Sequence, residues 1–372
     1  METSRIAATQ FSPDEILDVR EYGSGNVNDT FIVTCKTSAP FILQRINTHV
    51  FPHPEYIMLN MRTFTEHVRE RLAREPAQDG RAWEVPRVFA ARDGRDYFID
   101  ADGAFWRAIS FIANAVSYDE IVGLDHAREA GYALGRFQDL ISDLPIDRLR
   151  DTLEGFHITP QYLAQYHVAA QKTGVTDRDP RVRHGHRFIA DRQAWAGVLQ
   201  EAQTRGALFL RPIHGDPKIN NIMIDRATGQ AISLVDLDTV KPGLIHYDIG
   251  DCLRSCCNPL GEETEQIADV RFETDLCRAI LQGYLSVAQQ FLTENDYAYL
   301  YDSIRLIAFE LGLRFFTDYL NGNIYFKVKH AEHNLLRALV QFQVTASIEA
   351  QETEIRAIID EQRPDFQRGS IL

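Results

Sequence analysis

Cysteine is scarce, with five among 372 residues: Cys35, Cys252, Cys256, Cys257 and Cys277. Five unevenly spaced thiols do not make a disulfide framework, so reduced core thiols and a cytoplasmic location are the expectation. Cys252, Cys256 and Cys257 gather on one expected helix, where a soft-metal site is conceivable but core packing is the simpler reading. No run approaches the ~18 consecutive apolar residues of a membrane helix, and Met1 to Phe11 lacks the apolar stretch of a secretory signal. Positive charge is short as well: 39 Lys and Arg face 53 Asp and Glu, for a net charge of −14. A dedicated nucleic-acid binder would carry a basic footprint, so neither nucleic acid nor membrane is expected as a partner. Internal repeats and low-complexity tracts are also missing.

Hydrophobic content, at 45%, is that of a folded protein, and 372 residues exceed one comfortable core. Two lobes are therefore expected, 1–112 and 113–372. The first reads mostly as strands, interrupted by one helical stretch around Tyr56 to Ala73. From Asp125 onward helical periodicity dominates, including Arg187 to Thr204 and nearly everything after Phe272. The segment from Thr173 to His186, rich in charge, Gly and Pro, reads as a surface loop or connector.

The most informative stretch is IHGDPKINNIMIDRATGQAISLVDLDT, Ile213 to Thr239. Asn221 opens one apolar run, Asp225 to Gln230 supplies turn chemistry, and a second apolar run ends at Asp236. Folding the chain back near Thr228 and Gly229 places Asn221 nearly opposite Asp236 in an antiparallel pair, where facing Cα atoms lie roughly 5 Å apart. Carboxylate plus amide oxygen is hard-cation chemistry, and a Mg²⁺ site completes its shell with water and phosphate. Asp216, five residues before Asn221, can lie beside that pair without being a ligand, which suits a general base. His214 reads on chemical grounds as a second base, whereas the kinase-like resemblance set out below makes it a brace for the loop. Asp238 lies on the Asp236 face if the strand continues, where it can touch a second metal or simply act as a capping or solvated carboxylate. Lys218 can neutralise a transferring phosphoryl group or hold an acceptor, although loop cations are commonly just solvated.

Upstream, Tyr22 to Thr30 is a glycine-rich loop running into an alternating strand. Glycine permits close backbone approach to an anion, so Gly23, Ser24, Gly25 and Asn26 are candidates to cover a triphosphate. The strand WRAISFI leads into a connection at Ser110, Phe111 and Ile112, which the kinase-like resemblance set out next makes the hinge whose backbone groups would meet adenine.

Several of these motifs resemble the protein kinase-like phosphotransferases of small molecules, which include aminoglycoside, choline and homoserine kinases. The catalytic-loop pattern HxDxxxxN is met by His214, Asp216 and Asn221, and the later metal Asp by Asp236. The resemblance extends to the N-acetylhexosamine 1-kinase group through YGSGNVNDTFIV, FILQRIN, WRAISFI, DLDTVKPG, YDIGD, RFFTDYLNGNIYF and KHAEHNLLR. It implies an α+β, bilobal protein kinase-like fold: a β-rich N-lobe with one main helix that covers nucleotide, and a larger, mostly helical C-lobe that carries the catalytic-loop hairpin and binds the acceptor. The implied activity is transfer of the γ-phosphoryl of ATP, with Mg²⁺, to the anomeric hydroxyl of an N-acetylhexosamine or related sugar. Another hydroxylated acceptor (an aminoglycoside, an amino alcohol or a different sugar) and a non-catalytic nucleotide-binding module remain alternatives.

The resemblance also exposes departures. Where kinase-like enzymes place a phosphate-binding Lys, this chain has Gln44, as the hexosamine group does. Gln44 can still donate a hydrogen bond to a phosphate oxygen, whereas Arg45 would reach the site only through a bulge or a register shift. The hexosamine group has Asn at the position of Gly215 and His at that of Asn26. Glu66 is a possible partner for a phosphate-binding cation, a solvated carboxylate being the simpler reading. Asp248 reads as a helix N-cap, and the resemblance adds that it braces the catalytic loop. By the same resemblance, Arg314 and Tyr325 join Lys218 as candidates for holding the acceptor.

Overall fold

The computed structural model describes residues 2–23, 27–75, 80–172 and 179–364. It opens with α1 (Glu2–Phe11), a helix that the strand-dominated reading of this region does not contain. Ser4, Ala7, Ala8 and Phe11 form its buried face, packed on the sheet that follows. Ten residues carry little periodic signal, and so short a helix is held by tertiary packing rather than by propensity.

The strands β1 (Ile16–Glu21), β2 (Asp29–Cys35) and β3 (Phe41–Ile46) form an antiparallel meander. A long helix, α2 (Pro54–Arg74), interrupts before β4 (Val88–Phe89), β5 (Phe98–Ile99) and β6 (Phe105–Ser110) complete the sheet in the order β1-β2-β3-β6-β4, with β5 also paired to β6. Alternation sorts the two faces of the sheet. On one face, Val33, Phe41, Leu43, Trp106 and Ala108 pack with α1. The other face turns towards α2 and the second lobe. Helix α2 starts with Pro54 in its first turn, where no intrahelical N–H is required. It buries Ile57, Met61, Phe64 and Val68 at helical spacing. Asn60, wholly buried, donates to the carbonyls of Arg150 (2.7 Å) and Val240 (2.8 Å), tying α2 to the lower lobe.

Beyond Ser110 the chain crosses into the helical lobe, beginning with β7 (Ala115–Val116) and α3 (Leu124–Leu140). Next come α4 (Thr159–Lys172), α5 (Pro180–Ala190) and α6 (Val198–Thr204), then the short strands β8 (Arg211–Ile213), β9 (Ile222–Asp225), β10 (Ala231–Leu234) and β11 (Lys241–Gly243). The lobe ends in α7 (Ile245–Cys256), α8 (Thr274–Ala288), α9 (Glu294–Ala298), α10 (Leu300–Leu320), α11 (His333–Ala350) and α12 (Glu352–Glu361). Helices α3 and α8 cross at two glycines. A Cβ on Gly131 would sit 1.9 Å from the Ile280 carbonyl oxygen, and one on Gly283 1.9 Å from that of Arg128. No side chain fits there.

The expected loop from Thr173 to His186 needs correction at its end. Residues 179–186 are described, and Pro180 opens α5, with the Asp179 carboxylate capping the Arg181 amide. Asp followed by Pro is a helix start signal as well as a loop signal. The expected helix from Arg187 to Thr204 is broken by a 3₁₀ turn at Gln193–Trp195. All five cysteines are buried and free, and among the described residues no helix is long and apolar enough to cross a membrane.

Candidate active site

Between the lobes lies a cleft of about 410 Å³. Its floor is the anticipated hairpin. Strands β9 and β10 pair antiparallel with Leu234 opposite Ile222, and the Val235 amide donates to the Asn221 carbonyl (2.8 Å). The turn closes because the Asp225 carboxylate accepts from the amides of Ala227 and Thr228 while Gly229 takes φ +70°. Asp236 lies one residue past the paired Val235 and adopts the left-handed conformation, φ +66°. Few non-glycine residues hold that conformation, and here it turns the chain out of strand geometry into a 3₁₀ turn, Leu237–Thr239. The Asn221 side-chain amide donates to the Asp216 carbonyl (2.7 Å), which leaves its oxygen free of donors among the described residues.

Asp216, Lys218, Asn221 and Asp236 all line this one cleft. The Lys218 ammonium donates to the Asp216 carboxylate (2.7 Å). Burial opposes the Asp216 charge, but Lys218, His214 and Arg254 outweigh it and hold the carboxyl below its ordinary value. Asp236 opens onto the cleft without a hydrogen-bond partner among the described residues. The enclosing walls and the nearby carboxylates of Asp238 and Asp216 push it up to about 7, with Lys218 and Arg107 opposing. The donor set fits a hard cation: one carboxylate and one amide oxygen, both turned into the cleft. Among the described residues no cluster of three His, Cys, Asp or Glu side chains forms a cage. Water and phosphate would therefore complete the shell.

The catalytic loop is held from below. His214 is fully buried and donates from Nε2 to the Val235 carbonyl (3.0 Å), while its Nδ1 accepts from the Asp216 amide (3.2 Å). Burial pushes its pKa down to about 4, so it stays neutral, as both bonds require. Gly215 takes φ +88°, and a Cβ there would stand 2.8 Å from the Thr239 carbonyl oxygen. The loop as folded here leaves no room for the Asn of the hexosamine group. Asp248 sits inside the first turn of α7 rather than at its N-cap. Its carboxylate accepts from the amides of His214 (2.9 Å) and Gly215 (2.7 Å) and from Gln138 (3.1 Å). Burial still pushes that carboxyl up to about 6. His157, at φ +65°, donates to the Gly215 carbonyl (2.7 Å) and bonds Glu310 (2.9 Å). Burial disfavours its charge, but Glu310 and the Gly215 carbonyl hold the imidazole above its ordinary value. No short motif announces His157 or Glu310, since they meet the loop only through tertiary packing.

Of the residues expected to meet nucleotide, Gly23, Gln44, Ser110, Phe111 and Ile112 line the cleft, with Ile42, Ile109 and Met223 supplying apolar walls. Ser24, Gly25 and Asn26 lie outside the described residues. Arg45 points the other way, as strand alternation without a bulge dictates. It is half exposed and pairs with Asp29, so it does not stand in for the missing Lys. Glu66 pairs with Arg62 at the surface (3.0 Å). Asp238, expected at a second metal or a cap, is instead buried in an ion pair with Arg107 and accepts from Asn28 (2.5 Å). Arg107 escaped the sequence reading. The signal was an Arg alternating with Phe105 and Ile109 on an inward strand face.

Arg314 and Tyr325 do not line this cleft. The Arg314 guanidinium stands 5.0 to 5.4 Å from the ring centres of Phe156, Tyr162 and Phe326 and makes no hydrogen bond to another described residue. Burial opposes its charge, but Tyr162, Tyr325, Glu310 and Asp216 keep its pKa well above the ordinary value, which places it within electrostatic reach of the loop carboxylate. Tyr325 is half exposed on the turn after α10.

Residues 18–286 match the family described as "Phosphotransferase enzyme family". The chain belongs to that family. The fold of this phosphotransferase is similar to an aminoglycoside phosphotransferase from Alicyclobacillus acidocaldarius, with TM-score 0.62, 14% identity and 96% of each chain covered. A microcompartment-associated aminopropanol kinase matches with TM-score 0.60 and 16% identity, over 95% of this chain and 98% of that one. An amicoumacin kinase in complex with AMP-PNP, Ca²⁺ and Ami matches with TM-score 0.53 and 15% identity, over 97% of this chain and 94% of that one. The kinase-like bilobal α+β fold expected from the sequence is thus the fold observed.

Proposed function

We propose that this phosphotransferase is an ATP- and Mg²⁺-dependent kinase of a neutral hydroxylated small molecule, with the C1 hydroxyl of an N-acetylhexosamine or related sugar as the favoured acceptor. The observation that carries this reading is the convergence of Asp216, Asn221 and Asp236 in one cleft beneath the start of the glycine-rich loop. Asp216, ionised at neutral pH, takes the proton of the acceptor hydroxyl as its oxygen attacks the γ-phosphorus. The bond to the β–γ bridging oxygen breaks, and ADP leaves with that electron pair. Asn221 and Asp236 would hold Mg²⁺, whose charge offsets that of the phosphate oxygens. Lys218, bonded to Asp216, is placed to meet the transferring group or the acceptor. Ile42, Ile109 and Met223 offer the adenine an apolar slot, with hydrogen bonds from the backbone near Ser110 to Ile112. Lobe closure excludes water from the reacting phosphate.

Among acceptors, the cleft itself sets the carboxylates of Asp119, Asp216, Asp236 and Asp238 against Lys218 and Arg107, so the sugar reading rests on the resemblance and the amine reading is its direct rival. Arg314, ringed by Phe156, Tyr162 and Phe326, would donate to the hydroxyl and carbonyl oxygens of a sugar that reached beyond the cleft. Aminoglycoside and aminopropanol acceptors, named for the similar structures, define the rival reading. The test is a panel of N-acetylhexosamines, other sugars, amino alcohols and aminoglycosides with ATP and Mg²⁺, the phosphorylated position being determined by NMR. A sugar 1-phosphate is the expected product. Turnover confined to amines would replace the acceptor assignment, and nucleotide binding without any turnover would leave a non-catalytic module.

A further inference from the structure

Gln44 stands where kinase-like enzymes keep a phosphate-binding Lys, yet the cleft does not lack a cation there. Directly across the ladder, in the Gln44↔Arg107 register pair, strand β6 presents Arg107. The guanidinium is only 1% exposed, and it lines the cleft. The Gln44 side-chain oxygen accepts from Arg107 Nε (2.9 Å) and Nη2 (2.7 Å), while the Gln44 amide nitrogen donates to Thr30 (3.0 Å). Nη2 also meets the Asp238 carboxylate, which Asn28 holds from its other oxygen. Nη1 is different: it is buried and has no hydrogen-bond partner among the described residues.

We propose that Arg107 is the residue that binds the α- and β-phosphates of the nucleotide, with Gln44 and Asp238 acting as its positioning residues. This inference rests on the nucleotide site proposed above. A buried guanidinium is costly unless paired, and Asp238 removes most of that cost before any nucleotide arrives. The two bonds that Gln44 accepts then fix the plane of the fork and leave Nη1 as its one unpartnered donor, on a residue that lines the cleft. A cation oriented in advance loses little entropy on binding an anion. The arrangement also accounts for the amide at position 44. A Lys there would bring a second positive charge against Arg107 across the ladder, whereas the Gln oxygen accepts from it. The positive charge has moved one strand over, and its carboxylate partner comes from the 3₁₀ turn after Asp236 rather than from α2, whose Glu66 is spent on Arg62.

The experiment measures binding of MgATP, MgADP and adenosine to the full-length protein by calorimetry, for the wild type, R107Q, R107K and the double variant Q44K/R107Q. For R107Q, MgATP and MgADP binding should weaken roughly 10- to 100-fold while adenosine binding is unchanged, because only phosphate contacts are lost. The double variant, which returns a cation to position 44, should recover most of that loss, an outcome that a purely structural role for Arg107 would not give. Should R107Q not fold, R107K carries the test: a point charge without the fork should still weaken MgATP selectively over adenosine. Equal MgATP affinity in wild type and a folded Arg107 variant, or equal loss of MgATP and adenosine, would overturn the assignment. A wild-type protein that binds no MgATP would instead remove the kinase reading itself.

Discussion

The loop at 214–221 and the turn at 321–326 are both polar, irregular and rich in turn residues, and each hangs on one buried carboxylate, Asp248 or Asp318, yet they present their residues in opposite ways. The loop rests on a buried layer: Asp248, Gln138 and Tyr284 on one side, His157, Glu310 and Thr159 on the other. The amides of His214 and Gly215 share the fully buried Asp248 carboxylate. The turn at 321–326 is held by Asp318, which accepts from the amides of Ile324, Tyr325 and Phe326 and from Asn334. The residues it presents are open, Ile324 being 80% exposed and Tyr325 46%. Positions of the proton acceptor and metal ligands must hold to fractions of an ångström, whereas a rim that selects among acceptors can change residue by residue. The loop therefore keeps its residues in the core, whereas the turn sets its own at the surface.

The comparison can be broken at its strongest point. Asp216→Asn should lower turnover by about 10³-fold, within the range for removing a general base, while MgATP affinity and the unfolding transition stay where they are. Single-turnover assays beside nucleotide titrations would check this, and retained turnover would remove the assigned base. Asp248→Ala strips two buried amides of their acceptor and should cost about 3 kcal/mol of stability in denaturant unfolding, with kcat falling as the loop loosens. The counterpart on the turn, Asp318→Ala, removes the buried acceptor of three backbone amides and of Asn334 and should cost about 2 to 3 kcal/mol. Its main effect should be a higher KM for the acceptor at nearly unchanged KM for ATP. Were Asp318→Ala to damage kcat as much as Asp248→Ala, the division between rigid chemistry and replaceable rim would be wrong.

The smallest effect concerns pH. Burial opposes the charge of Glu263, but Lys329, Arg337 and His333 outweigh it and hold the carboxyl down at about 2. A carboxyl lowered on folding contributes stability that is fully present above its ordinary value of about 4.5 and is lost as the pH falls through about 2. Glu263 ties the segment before α8 to the chain following the turn at 321–326, so losing its charge loosens a contact between distant parts of the lobe. Melting temperature followed between pH 5 and pH 2 should fall less steeply in Glu263→Gln than in the wild type. Parallel curves would show that this cluster adds nothing to stability.

Much of this was legible in the linear chain. The hairpin from Asn221 to Asp236 follows from two apolar runs around Asp225 to Gln230, and the helical stretch near Tyr56 from its period. Alternation alone put Arg45 on the wrong face for phosphate, barring a bulge, and no bulge is there. The first helix was illegible because ten residues hold too little pattern, and residues 180–186 were read as loop because Asp and Pro serve both loops and helix starts. Arg107 was visible as a charge on an inward face, but nothing in the chain named the residue across from it.

By itself the sequence determined which side chains can do chemistry, since local spacing around a tight turn brings Asn221 and Asp236 together whatever the rest of the chain does. It also determined the alternation that divides Gln44 from Arg45. The tertiary structure alone decided where the cation lies, how Asp248 and His157 clamp the loop, and which way Asp238 turns. Those contacts join residues dozens to hundreds of positions apart, and no local periodicity encodes a pairing across strands and lobes; only the packed fold, in which a buried charge must find its partner, selects it.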